Sequence, residues 1–457
     1  MATPASARIV PPRAGIRARA SSPRAASSAR SSSPLPPGAP HADILETCVG
    51  AVASACALIA RVRRADAPAL VRRKSDATPV TVADYACQAL VARRLRDAFP
   101  SARLVAEEDA RDALLSDPTL RDAIADALLA VGEDPREALE ALAACDPGVT
   151  DPPATTRASA RDEPPAGWFV LDPIDGTEGF LRELTNSTPG GPSGDPVDVE
   201  NRPSASTSGS NPGPQCCVGL AYVDPDGFPS VGVLGLPLWR DPAGVVVGRV
   251  VAAARGGGCH VSELRRHVSD PNAEPNFDWV RVPPPPADLD LASAPVVSSE
   301  RGAPFAETVV GRGLAAEGRP RVGAETRACC GSLCKYAAVA AGDARLFAQW
   351  PTTNDAEGVP GEGASLGVPS EGMGVPGEER DARLNLLRFP ARLKTWDHAA
   401  GVACVVEAGG TATDLDGAPI RFPVPSRTFE AGGGGVLVAG SSEVHADALR
   451  LWTARRR

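Results

Sequence analysis

The stretch Trp168-Phe-Val-Leu-Asp172-Pro-Ile-Asp175-Gly-Thr177-Glu-Gly-Phe-Leu-Arg182 decides how this chain is read. Four apolar residues, Trp168 to Leu171, predict a buried strand that ends at Asp172. Pro173 stiffens the turn, Gly176 permits a tight backbone, and Thr177 is placed to cap a helix starting near Glu178. Two carboxylates crowded at a strand end repel each other unless a cation neutralises them. Oxygen-only ligands select a hard ion such as Mg²⁺. The N–H groups at the start of the following helix suit a phosphate. Taken alone, the turn is equally explained as an Asx-turn that caps a helix and binds nothing.

The chain has 457 residues, a formal charge of −9 and 43% apolar residues, which predicts a soluble globular protein of one or two domains. Its acidic balance argues against a nucleic-acid duplex as partner. The 11 cysteines are scattered, odd in number and without a Cys-x-x-Cys pair. They read as small buried apolar residues in a reducing compartment, not as a disulfide framework or zinc site. The adjacent pairs Cys216–Cys217 and Cys329–Cys330 leave redox sensitivity open. No apolar run is read as membrane-spanning, so no membrane partner is expected. Residues 1–40 hold arginines at 8, 13, 17, 19, 24 and 30, many Ser, Ala and Pro, and no acid. They are expected to be a transit peptide, for a plastid in preference to a mitochondrion; the alternative is a disordered tail with no address.

Working outward, Ile44, Leu45, Val49, Val52, Cys56 and Ile59 recur at helical spacing. Pro79 precedes a helix running to Phe99, with Asp84 near its start as a cap or dipole partner. Leu104 to Ala106 is a short strand running into Glu107, Glu108 and Asp109, which are either solvated charge or one side of a cation site. Helical patterns follow at about 119–131 and 135–144. Residues 184–214 and 351–383 are low-complexity insertions, expected to be disordered. Cys217–Tyr222 and Ser230–Leu236 form a hairpin at Asp226-Gly227. Prolines 283–286 connect two halves. Beyond them come a strand at Pro295–Ser299, a helix at 332–342, a strand at Leu384–Pro390, and an apolar helix opened by Trp396-Asp397-His398-Ala-Ala-Gly401.

Pro79-Val-Thr-Val-Ala-Asp84-Tyr, Ala-Glu107-Glu108-Asp, Asp172-Pro-Ile-Asp175-Gly-Thr177 and Trp396-Asp397-His-Ala-Ala-Gly401 occur in an order that resembles the lithium-sensitive, Mg²⁺-dependent phosphatase superfamily. That group includes inositol monophosphatases, fructose bisphosphatases and 3'(2'),5'-bisphosphate nucleotidases. Lys74-Ser-Asp-x-x-Pro-Val-Thr-Val-Ala-Asp-Tyr and Gly-Thr-x-Gly-Phe-Leu-Arg182 look most like the nucleotidase branch. The resemblance covers about 43–455, apart from the insertions.

It implies an α/β (α+β) fold, a layered αβαβα sandwich of two subdomains, 41–285 and 286–457. Glu107, Asp172, Asp175, Asp397 and the carbonyl of Ile174 would hold two or three Mg²⁺ ions. Asp84 and Thr177 would orient and deprotonate the attacking water. Gly176 and Thr177 would hold phosphoryl oxygens. Ser332, Lys335, Arg388 and Asp397 would contact a small nucleotide bisphosphate, with Lys335 and Arg388 supplying cations away from the metals. The implied reaction releases the 3'-phosphate of adenosine 3',5'-bisphosphate, a by-product of sulfate assimilation, and extends to 3'-phosphoadenylyl sulfate. Inositol phosphate hydrolysis, or phosphonucleotide binding without turnover, are the alternatives, and a monomer is expected. Two departures bear on substrate. Glu178 stands where the family commonly has Lys, and no His falls near Glu300–Ala303, where a base contact is expected.

Overall fold

The computed structural model describes residues 32–64, 71–73, 79–110, 114, 116–145, 167–186, 216–241, 243–264, 277–286, 289–299, 304–328, 331–350 and 391–454. The expectations placed on Arg388, on Cys329–Cys330, on Glu300–Ala303, on residues 351–383 and on most of 184–214 lie outside them. So does the greater part of the 1–40 segment.

Strands β1 (Val71–Arg73) and β2 (Pro79–Thr81) form a small antiparallel ribbon. A seven-stranded sheet follows in sequence order: β3 (Arg103–Ala106), β4 (Trp168–Asp175), β5 (Cys217–Val223), β6 (Pro229–Leu236), β7 (Arg249–Ala254), β8 (Gly258–Glu263) and β9 (Val280–Arg281). The second sheet draws on β10 (Val296–Ser299), β11 (Glu325–Ala328), β12 (Leu346–Gln349), β14 (Thr411–Asp414) and β16 (Val436–Ala439), in the order β11-β10-β12-β16-β14. Between the last of these, β13 (Ala391–Lys394) pairs with β15 (Thr428–Ala431).

Only β3 and β4 are parallel in the first sheet, and a parallel pair needs a crossover. The described residues between them include two helices (Pro118–Leu129 and Pro135–Ala144), each with an Asp N-cap and Pro at its first position. The register sets Ala106 opposite Leu171, so Glu107 and Asp172 follow at the same end of the parallel pair.

Five layers result. Helices Ala42–Arg64 and Val82–Ala98 cover one face of the first sheet. Ser332–Ala341 and Ala399–Glu407 fill the space between the two sheets, and Val309–Ala316 and Ser442–Ala454 close the far face of the second. In chain order the helices are α1 (42–64), α2 (82–98), α3 (118–129), α4 (135–144), α5 (177–186), α6 (309–316), α7 (332–341), α8 (399–407) and α9 (442–454). Three apolar cores separate these layers. The expected αβαβα sandwich is therefore the observed fold.

Layer spacing is set in part by two glycines of β6. A Cβ at Gly235 would stand 2.5 Å from Val52 and Cys56 of α1. Three residues earlier, and so on the opposite face, a Cβ at Gly232 would stand 2.4 Å from the Ala400 carbonyl of α8.

Two expectations are corrected. β4 does not end at Asp172 but continues to Asp175, and Pro173 is accommodated because the pairing with β5 shifts register between Asp172 and Asp175. α1 is long and apolar enough to cross a membrane by length and composition, contrary to the sequence reading. Here it is a core helix, with Leu45, Cys48, Val49, Val52, Cys56 and Ile59 fully buried. All nine described cysteines are free thiols, and every one but Cys145 is buried.

Candidate active site

Asp172 and Asp175 lie in the last four residues of β4, and Asp397 stands two residues before α8. One carboxylate oxygen from each lies within 4.8 Å of the others; the first two are buried and Asp397 is half-buried. Three like charges so close are costly without a counter-charge. The donors are all hard oxygens, with no sulfur or nitrogen among them, which fits a divalent cation of the Mg²⁺ type better than zinc.

Asp175 is the most deeply held. Its Oδ2 accepts the Leu333 N–H at 2.6 Å, at the first turn of α7. Gly331 makes that approach possible, since a Cβ there would fall 1.6 Å from Asp175 Oδ1. Burial pushes the Asp175 carboxyl up to about 6, while the Lys335 ammonium and the Leu333 N–H pull the other way and the Glu107 charge adds to the rise. Glu107 itself is not part of the 4.8 Å group. It follows β3, tied to β4 by its N–H to the Leu171 carbonyl at 3.2 Å. Next to it, the buried Gln88 side chain of α2 grips Glu108 twice, accepting its N–H at 3.0 Å and donating to its carbonyl at 2.8 Å.

Asp84 serves two roles in one carboxylate. As the third residue of α2 it accepts the N–H of Thr81 at 2.8 Å and the Thr81 hydroxyl at 2.6 Å, completing a capping box. Its other oxygen faces the Thr177 hydroxyl at 3.3 Å. The Ile174 carbonyl lies 3.1 Å from that same hydroxyl, so one proton has two acceptors. Gly176 takes φ +84, a left-handed conformation that gives the tight backbone expected there. Thr177 is the first residue of α5 and not its cap.

Ser332 opens α7 and is partly exposed. Lys335, one turn on, is 3% exposed; its ammonium donates to the Gly331 carbonyl at 2.8 Å and acts on Asp175 through charge. It thus sits against the carboxylate corner, where a cation remote from the metals was expected. Glu178 pairs with Arg182 at 3.3 Å across one turn of α5, and the reversed charge therefore has a local partner. The sequence reading missed Gly331, the Leu333 N–H and Gln88. Only the glycine leaves a trace in sequence, as the residue before a helix.

The sequence model of the inositol monophosphatase family matches residues 41–355 and 382–452. The chain is 29% identical over 420 residues to a mitochondrial protein of Arabidopsis thaliana whose 3'(2'),5'-bisphosphate nucleotidase name is itself provisional, spanning 87% of this chain and 84% of that one. It is 23% identical over 381 residues to 3'(2'),5'-bisphosphate nucleotidase 1 of Candida albicans, spanning 81% and 83%. Among solved structures, a Thermotoga maritima IMPase aligns at 17% identity over 90% of this chain and 97% of its own, with a TM-score of 0.46.

Proposed function

The chain belongs to the inositol monophosphatase family, and within it we propose a Mg²⁺-dependent phosphatase that takes the 3'-phosphate from adenosine 3',5'-bisphosphate and leaves AMP. The names of the relatives support the substrate class. The observation that carries the chemistry is the meeting of Asp172, Asp175 and Asp397 beside the Thr177–Asp84 pair.

In this reading Asp172, Asp175, Asp397, Glu107 and the Ile174 carbonyl hold the ions. Bound Mg²⁺ supplies positive charge on the phosphoryl oxygens and a water of lowered pKa. Thr177 orients the attacking water, taking its proton as its own hydroxyl proton passes to Asp84. The water oxygen bonds to phosphorus, the P–O3' bond breaks, and the O3' alkoxide takes a proton from solvent to leave as the 3'-hydroxyl, while Asp84 returns the proton it accepted to solvent. Backbone N–H groups at the Gly176–Thr177 helix start face the phosphoryl oxygens. Ser332 and Arg388 are assigned to the rest of the nucleotide, and Lys335 to the carboxylate corner on which its charge acts. Residues 41–285 and 286–457 are the two subdomains, and 1–40 is an organelle leader; the Arabidopsis relative is named as mitochondrial.

The test is phosphate release from adenosine 3',5'-bisphosphate, 3'-phosphoadenylyl sulfate and inositol 1-phosphate, each with and without Mg²⁺. Release from the nucleotides that requires Mg²⁺ is expected. No release from adenosine 3',5'-bisphosphate sinks the reading, and turnover of inositol 1-phosphate alone moves the chain to the other branch of its family.

A further inference from the structure

Arg427, just before β15, makes four contacts that meet at the candidate site. Its guanidinium donates to two successive main-chain carbonyls at the end of β3, Nη1 to Ala106 at 3.1 Å and Nη2 to Glu107 at 2.7 Å. The same group lies 4.6 Å over the ring of Trp396, the residue before Asp397. Its own carbonyl accepts the Thr395 N–H at 3.0 Å. Among the described residues no carboxylate forms an ion pair with it, so its charge faces carbonyl dipoles.

The two segments it joins come from opposite halves of the chain and adjoin strands of different sheets. On the first, the Glu107 backbone is already tied to β4, and Gln88 grips the next residue; Arg427 is the clamp that comes from the C-terminal half. A planar fork can serve adjacent carbonyls while its face rests on an indole; an ammonium cannot do both. We propose that Arg427 is a positioning residue that holds the Glu107 backbone in register with the Trp396-Asp397 segment, and thereby sets the affinity of the site for its divalent cation. The inference rests on the proposed metal-dependent function, but its readout does not require turnover.

The experiment is Mn²⁺ binding to the full chain, followed by electron paramagnetic resonance, with melting temperature measured alongside. Arg427→Met keeps an apolar contact on Trp396 and removes both donors. It is expected to weaken Mn²⁺ about 10-fold, the scale seen when a partner of a metal ligand is removed. Melting should stay near wild type, and added guanidinium should recover part of the affinity. Arg421→Ala, which loses a contact to the Asp226 carbonyl far along the same loop, should bind Mn²⁺ as wild type does. Wild-type affinity in Arg427→Met overturns the inference. So does a loss that tracks a fall in melting temperature and ignores guanidinium. Should Arg427→Met not fold, Arg427→Lys decides: intermediate affinity supports the role, and unchanged affinity ends it. A wild-type protein that binds Mn²⁺ yet hydrolyses no nucleotide would fail the functional reading alone.

Discussion

The Asp175 carboxylate and the Leu333 N–H meet at 2.6 Å, so an acid from the first sheet is seated on the first turn of a helix that packs between both sheets. The positive end of α7 favours that charge. An amide oxygen can accept the same bond, so Asp175→Asn should fold with a melting temperature close to wild type. Phosphate release should fall at least about 100-fold, because a metal-facing charge is gone. Ordinary turnover in the folded variant would remove this corner from the mechanism.

Gly331 is demanded by space. A methyl group at that position collides with Asp175 Oδ1, and the start of α7 has to move. Gly331→Ala should therefore cost turnover on the order of 10- to 100-fold, as small displacements at a reacting centre do. Thermal stability should change far less. Steady-state rates set against a melting curve give the answer, and equal rates in both proteins would mean the contact is slack.

Thr177 and Asp84 can be separated. Thr177→Val removes the hydroxyl that faces Asp84 and Ile174 and should lower kcat about 100-fold, the usual scale for lost proton transfer, with KM and Mn²⁺ affinity held. Asp84→Ala also breaks the capping box, which adds about 1 kcal/mol of instability. A lower melting temperature is expected in the second variant only. If Thr177→Val keeps full kcat, the water-orienting role belongs elsewhere.

Two histidines predict how stability depends on acid. Burial lowers His398 to about 3, and burial lowers His445 as well. Above about 6.5 both are neutral folded or unfolded, so neither contributes a pH slope. Below that value the unfolded chain takes up protons that the fold refuses, and stability is lost progressively, for His398 down to about 3. His445→Gln retains a partner for the Thr413 hydroxyl, now 2.9 Å from Nε2, and should shallow the decline between pH 6.5 and 5. Denaturant midpoints across that range measure it; identical declines would place the acid sensitivity outside His445.

Local chemistry made much of this molecule readable in advance. α1 has an unbroken helical period, the β5–β6 hairpin has Asp226-Gly227 with Gly227 at φ +83, and β4 opens on the continuous apolar run Trp168–Leu171. β16 is buried on both faces and so shows no alternation, and β12, with only Leu346 and Phe347 buried, is too short to show one. α6 spans eight residues, two of them glycine, and is too short to show a helical period. At the site, Asp172, Asp175 and Asp397 were visible because their chemistry is carried by side chains within short motifs. The contacts of Gln88 and Arg427 are to main-chain groups of a distant strand, and main-chain groups look alike at every position.

Gly232 has a consequence beyond packing. It lies beneath α8, the helix into which Asp397 leads, and any added bulk would act as a wedge under that helix. Asp397 would be carried off its mark with every acid still in place. A lesion in the middle of a sheet would then mimic the deletion of a ligand, and a geneticist mapping inactive alleles would find an address that chemistry alone does not list.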